Sequence, residues 1–177
     1  MEAFGTRGWA WVNEPTQWAV GDGLTVTTDR DTDFWQTTHY GFVRDTGHIL
    51  GRLLTGDFTI EATFDGDYTD QYDQAGLALR IDQKNWIKTG IELVDGRQQL
   101  SVVVTRDFSD WSVVAAEPGS RTTIRAERKG DTVTILAGGE MLRLAYFPPV
   151  VAVHAGVMCA SPTGAGFRVR FSDVIVG

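Results

Sequence analysis

Apolar and polar residues alternate along most of this chain with a period of two. The segment "FTIEATF" (58–64) sets Phe58, Ile60, Ala62 and Phe64 on one side. The same pattern returns in "AGLALRI" (75–81), "WIKTGIELV" (86–94), "LSVVVT" (100–105), "TTIRAER" (122–128) and "TVTIL" (132–136), and again in "MLRLAYF" (141–147), "VAVHAGVMCA" (151–160) and "FRVRFSDVIV" (167–176). Period two marks strands with one buried face, and the Gly- and Asp-rich breaks between them mark turns. No window of eleven or more residues carries the i, i+3, i+4, i+7 spacing of an amphipathic helix. About a dozen short strands predict an all-β fold of two stacked antiparallel sheets, a jelly-roll-like sandwich, in one domain over residues 1–177.

The pairing register can be read in one region. Asp95-Gly96 lies between two alternating runs, the signature of a two-residue hairpin whose turn needs positive φ. Val94 then faces Arg97, Glu92 faces Gln99, Gly90 faces Ser101, Lys88 faces Val103 and Trp86 faces Thr105. The opposite face holds Ile87, Thr89 and Ile91 against Leu100, Val102 and Val104, a core face; a slip of one residue would mix the two sets. With Asp82-Gln83-Lys84 taken as a three-residue loop, Arg80 faces Trp86, Ala78 faces Lys88, Gly76 faces Gly90 and Gln74 faces Glu92. Ala75, Leu77, Leu79 and Ile81 then join the core.

The outer face of these three strands is small in the middle (Gly76, Ala78, Gly90, Ser101) and long or flat at its border (Gln74, Arg80, Trp86, Lys88, Glu92). Glycine weakens a strand unless something approaches its backbone closely, so this face reads as a ligand-binding hollow, the alternative being the plain solvated outer face of a sandwich. Lys88 and Glu92 are roughly 13 Å apart by strand rise, too far for a direct ion pair. Asp73, beside Gln74, is the carboxylate that this register brings nearest Glu92. In "TDFWQTTHYGF" a continuous strand would place Trp35, Thr37 and His39 on one face, with His39 a candidate base or ligand contact. Trp111 in "SDWS" falls just past the Thr105 end, where it would either close one edge of the hollow or staple a loop to the core.

Composition narrows the classes of partner. Lys and Arg number 16 against 23 Asp and Glu, for a net charge of −7; nucleic acid and anionic membranes need the clustered basic surface that is missing here. No apolar run approaches the ~20 residues of a spanning helix. The N-terminal segment lacks a basic region followed by an apolar stretch, and the expected location is cytoplasmic. The single cysteine, Cys159, alternates with Val157 and Ala155 and reads as a buried small hydrophobe. The histidines are isolated, the acidic loop 65–73 reads as a plain polar loop, and no metal or cofactor is expected. Six Trp, nine Phe and four Tyr are a rich aromatic supply for a chain of this size, and surplus aromatics often line binding surfaces.

The segments "WVNEP" (11–15), "TDFW…HYGF" (32–42), "YDQAGLALRID…WIKTGIE" (72–92), "SVVVT…SDWS" (101–112) and "SP…GFRVRFSD" (161–173) resemble the regulation-of-enolase-like domain-of-unknown-function family. That family belongs to the concanavalin A-like lectin/glucanase superfamily. The resemblance implies a concanavalin A-like jelly-roll sandwich of two antiparallel sheets, one of them concave, and a concave sheet that binds carbohydrate. Three functions stay open. The first is noncatalytic binding of a carbohydrate or similar polyol by Trp35, His39, Asp73, Gln74, Arg80, Trp86, Lys88, Glu92 and Trp111. The second is a sugar- or metabolite-active enzyme using Lys88, Glu92 and His39. The third is a regulatory module that binds a protein partner through exposed tryptophans.

Overall fold

The computed structural model describes residues 1–116, 121–149 and 151–177, and no helix occurs among them. The chain opens with β1 (Glu2–Ala3), β2 (Thr6–Arg7), β3 (Ala10–Val12), β4 (Gln17–Gly21) and β5 (Gly23–Thr27), followed by β6 (Phe34–Gln36) and β7 (Val43–Asp45). Long strands follow: β8 (His48–Leu54), β9 (Phe58–Gly66), β10 (Gln74–Asp82), β11 (Asn85–Val94), β12 (Arg97–Arg106) and β13 (Phe108–Ala115). The last five are β14 (Thr122–Lys129), β15 (Thr132–Ala137), β16 (Glu140–Tyr146), β17 (Val153–Ala160) and β18 (Arg168–Val176). Two seven-stranded antiparallel sheets result, in the orders β13-β12-β11-β10-β17-β8-β3 and β16-β15-β14-β9-β18-β5-β4.

Alternation fixes which side of each strand faces the other sheet. Phe58, Ile60, Ala62 and Phe64 of β9 point inward and meet Ala75, Leu77 and Leu79 of β10 and Ile87 and Ile91 of β11. The β11–β12 register follows the Asp95-Gly96 turn as expected, with Glu92 opposite Gln99 and Trp86 opposite Thr105. Between β10 and β11, Gln74 faces Glu92 and Arg80 faces Trp86. The loop there is shorter than the sequence suggests. Asp82 pairs with Asn85 across a bulge at Ile81, because the Asp82 carboxylate accepts the Lys84 N–H at 2.8 Å and the Asn85 amide at 2.9 Å. Cys159 is free and buried between β10 and β8.

The outer face of β10–β12 is covered. Residues 85–94 of β11 are buried on both sides except at Asn85 and Glu92–Val94's margin at Leu93, a pattern one packed face cannot produce. Segment 28–47 lies over the sheet, with β6 and β7 paired as a short hairpin. Phe34 and Trp35 settle against Ala78, Trp86, Val103 and Met158 in a second apolar cluster, Phe34 with its ring 6.0 Å from that of Trp86. Burying one such ring contributes about 2 kcal/mol, enough to hold the segment down once its polar groups are matched. The hollow inferred over Gly76, Ala78 and Gly90 is therefore filled by protein. Its glycines have another reason to be there. A Cβ on Gly76 would strike the Thr89 carbonyl and the Gly90 Cα, and one on Gly90 would strike the Ala75 carbonyl. The close approach comes from the neighbouring strand.

His48 ties this cover to the sheet. Its Nε2 accepts the Asp29 N–H at 3.1 Å, which leaves Nδ1 to carry the proton donated to the Asn13 carbonyl at 2.7 Å. Burial pulls the imidazole pKa below its ordinary value. The unfolded chain takes up a proton near pH ~6.5 while the folded chain resists it. The stabilisation from this group is complete above that pH and is lost as pH falls through the lowered folded value. Denaturant titrations between about pH 8 and 5 should show the advantage of wild type over His48→Asn shrinking below about pH 6.5. A difference that stays constant over the series would show that His48 does not titrate in this way.

Candidate functional site

A cavity of about 280 Å³ opens at the edge of the covering segment, where β11, the 31–44 stretch, Tyr72, Trp111 and the 162–163 turn meet. Lys88 and Glu92 of β11 line it together with Asp33. Strand parity sends both side chains outward, and the cover leaves them only 4% and 6% exposed. Lys88 Nζ donates to Asp33 Oδ1 at 2.8 Å. The same oxygen accepts the Phe34 N–H at 2.8 Å and the Gln74 amide at 3.3 Å. Glu92 Oε2 accepts the Trp111 indole N–H at 3.0 Å, and that indole also reaches Ser101 Oγ at 3.1 Å. Burial raises the Glu92 pKa above the usual carboxylate range, with the Lys88 charge opposing.

The walls are aromatic. Trp35 and Trp111 stand at 88° with ring centroids 6.5 Å apart, and Tyr72 meets Trp111 at 80°. Tyr40 closes against Trp35 at 70° and stacks on Phe42 at 19°. The Tyr40 and Tyr72 hydroxyls approach to 3.4 Å, and this hydrogen bond, with burial, pushes the Tyr40 phenol up to about 12. Arg44 stands over the Phe42 ring at 5.3 Å. The arrangement offers flat apolar faces around a floor of two carboxylates and one ammonium.

Of the residues singled out by sequence, Trp35, Lys88, Glu92 and Trp111 come together around this cavity. The others lie outside its lining. Trp86 is 2% exposed beneath Phe34 and donates its indole N–H to the Gln83 carbonyl at 3.0 Å. Arg80 is paired with Asp45 of the covering hairpin at 2.9 Å. Gln74 sits behind Asp33, its amide also reaching the Tyr72 carbonyl at 3.1 Å. Asp73 is turned away from Glu92. Its Oδ2 accepts the Thr69 and Asp70 N–H groups at 3.0 and 2.9 Å, and its Oδ1 accepts the Ser161 hydroxyl at 2.6 Å. His39 is exposed, because the strand stops at Gln36 and the chain turns through positive φ at Thr37 and His39. Asp33, Tyr40, Phe42, Arg44 and Tyr72 were missed. Asp33 meets Lys88 across 55 residues, and no local pattern signals such a pair.

The fold and the sequence each match known proteins. The family described as "Protein of unknown function (DUF1349)" matches residues 11–177. Regulation of enolase protein 1 of Saccharomyces cerevisiae is 37% identical over 170 residues, spanning 92% of this chain and 86% of the yeast protein. The crystal structure of a functionally unknown protein from Saccharomyces cerevisiae superposes with a TM-score of 0.92 at 35% identity, over 96% of this chain and 95% of that one. The carbohydrate binding module CBM66 from Bacillus subtilis shares the sandwich, with a TM-score of 0.60 at 16% identity over 96% and 94% of the two chains. A β-sandwich of two seven-stranded antiparallel sheets, matched in sequence over nearly its whole length, makes this chain a member of the DUF1349 family.

Proposed function

We propose that the cavity bounded by Trp35 and Trp111 binds one ring of a carbohydrate or similar polyol and does no chemistry on it. The observation that carries this reading is the pairing of perpendicular aromatic walls with a floor of Asp33, Lys88 and Glu92. Aromatic faces pack against the C–H face of a sugar, while carboxylates and an ammonium accept from and donate to its hydroxyls. The volume falls near the lower end of the roughly 300–1,000 Å³ of small-molecule pockets, which suits a single ring. The fold shared with a carbohydrate binding module lends further support.

Isothermal titration against a panel of monosaccharides tests it. Trp111→Ala should weaken the binding of whichever sugar binds wild type by at least about tenfold, with the fold checked by thermal melting. A panel that is silent on folded protein rejects the reading. Undiminished binding by Trp111→Ala would move the ligand elsewhere, and product formation would reject noncatalytic binding. A second reading, contact with a regulated protein, draws on the name of the yeast relative and on the exposed Tyr40, Phe42 and Val43 of the covering loop.

A further inference from the structure

We infer that the ring held in this cavity is that of a protonated amino sugar, its ammonium seated between Asp33 and Glu92. This rests on the polyol reading of the same site. Three carboxylates line the cavity, Asp31, Asp33 and Glu92, against two cations, Lys88 and Arg44. The Lys88 charge is already engaged by Asp33. Arg44 is exposed and lies over Phe42, and no ion pair joins it to Glu92 among the described residues. Glu92 is thus a carboxylate more than nine-tenths buried whose hydrogen-bonding partners, the Trp111 indole and the Ser101 hydroxyl, carry no charge, while the nearby Lys88 ammonium is paired with Asp33.

Burying such a group without a cation of its own is costly, and a ligand that brings one offsets that cost. Asp33 Oδ2 receives no hydrogen bond among the described residues. That oxygen and the Glu92 carboxylate line the same cavity and can meet one ligand. A neutral diol could donate to both, but only a cation also relieves the charge. The walls favour the same choice, because the faces of Trp, Tyr and Phe attract a cation within about 6 Å of the ring centre. Glu92 is displaced toward its neutral form by burial, and a bound ammonium would pull it back.

The test compares matched sugars in the gluco, galacto and manno series at about pH 6.5, where a primary amine is protonated. The free amine, the N-acetyl amide and the plain hydroxyl sugar are each titrated calorimetrically into the wild-type chain. In at least one series the amine should bind at least tenfold more tightly than both neutral partners. Glu92→Gln, confirmed folded by melting, should bring that preference below threefold. A neutral sugar binding as tightly as its amine overturns the inference and leaves the polyol reading standing. An amine preference that survives Glu92→Gln overturns it too, since the selectivity would then lie elsewhere. Silence from every sugar removes both readings together.

Discussion

Replacing Gly90 with alanine is expected to destabilise the protein by about 4 kcal/mol, the sum of overpacking and backbone strain. Gly90 has φ near +155°, a conformation that L side chains rarely adopt. An added Cβ would also collide with the Ala75 carbonyl and with Gly76 Cα on the adjoining strand. These are backbone atoms in the centre of a seven-stranded sheet, so relief requires parting β10 from β11. For a chain of this size the loss corresponds to a fall of roughly 8–16 °C in Tm. Gly96→Ala separates the two contributions. Gly96 has φ near +73° in the hairpin turn and nothing within 4 Å of its would-be Cβ, so only about 1 kcal/mol of strain should appear. Urea denaturation of both variants gives the comparison. A Gly90→Ala cost no larger than that of Gly96→Ala would show that the sheet yields easily at this point.

The second large effect is expected at Lys88. Lys88→Met should cost about 3 kcal/mol, at the lower end for removing one member of a buried pair. The lower end applies because Asp33 keeps its bonds from the Phe34 N–H and the Gln74 amide. Asp33 would still be left as a largely buried carboxylate without its counter-ion. Adding Asp33→Asn to Lys88→Met should recover most of the loss, since the isolated charge is what does the damage. The same cycle should be visible in near-ultraviolet circular dichroism, because the pair pins the segment that packs Trp35 and Phe34 onto Trp86. If the double variant were as unstable as the sum of the singles, the two residues would be acting independently and the pair would not be what holds the cover.

Much of the sandwich was legible because its strands are governed by local rules. The alternation in 86–94 and 100–105, together with Asp95-Gly96, determines one register, and the structure follows it pair by pair. The bulge at Ile81 escaped because it depends on the Asp82 side chain turning back to bond its own loop. The covering segment escaped for a different reason. β6 and β7 have three residues each and pair only with each other. Their attachment rests on Asp33 reaching Lys88 and Asp45 reaching Arg80, contacts 55 and 35 residues apart in sequence. The glycines carried a real signal of close approach, but a sequence does not say whether a ligand or the next strand does the approaching. Parity did place Lys88 and Glu92 outward, and that is why two of the cavity's charged groups could be named before its walls could.

The cavity is built from two materials of unequal stiffness. Lys88 and Glu92 flank Gly90 on a central strand where the backbones are too crowded to shift. Tyr40 and Phe42 belong to an exposed loop with left-handed residues at Thr37, His39 and Gly41. Sequence drift in that loop can reshape the walls at little energetic expense, whereas the charged base is locked to the sheet. Descendants of this architecture would be expected to diversify what they recognise by rewriting residues 37–42 while keeping the same electrostatic anchor.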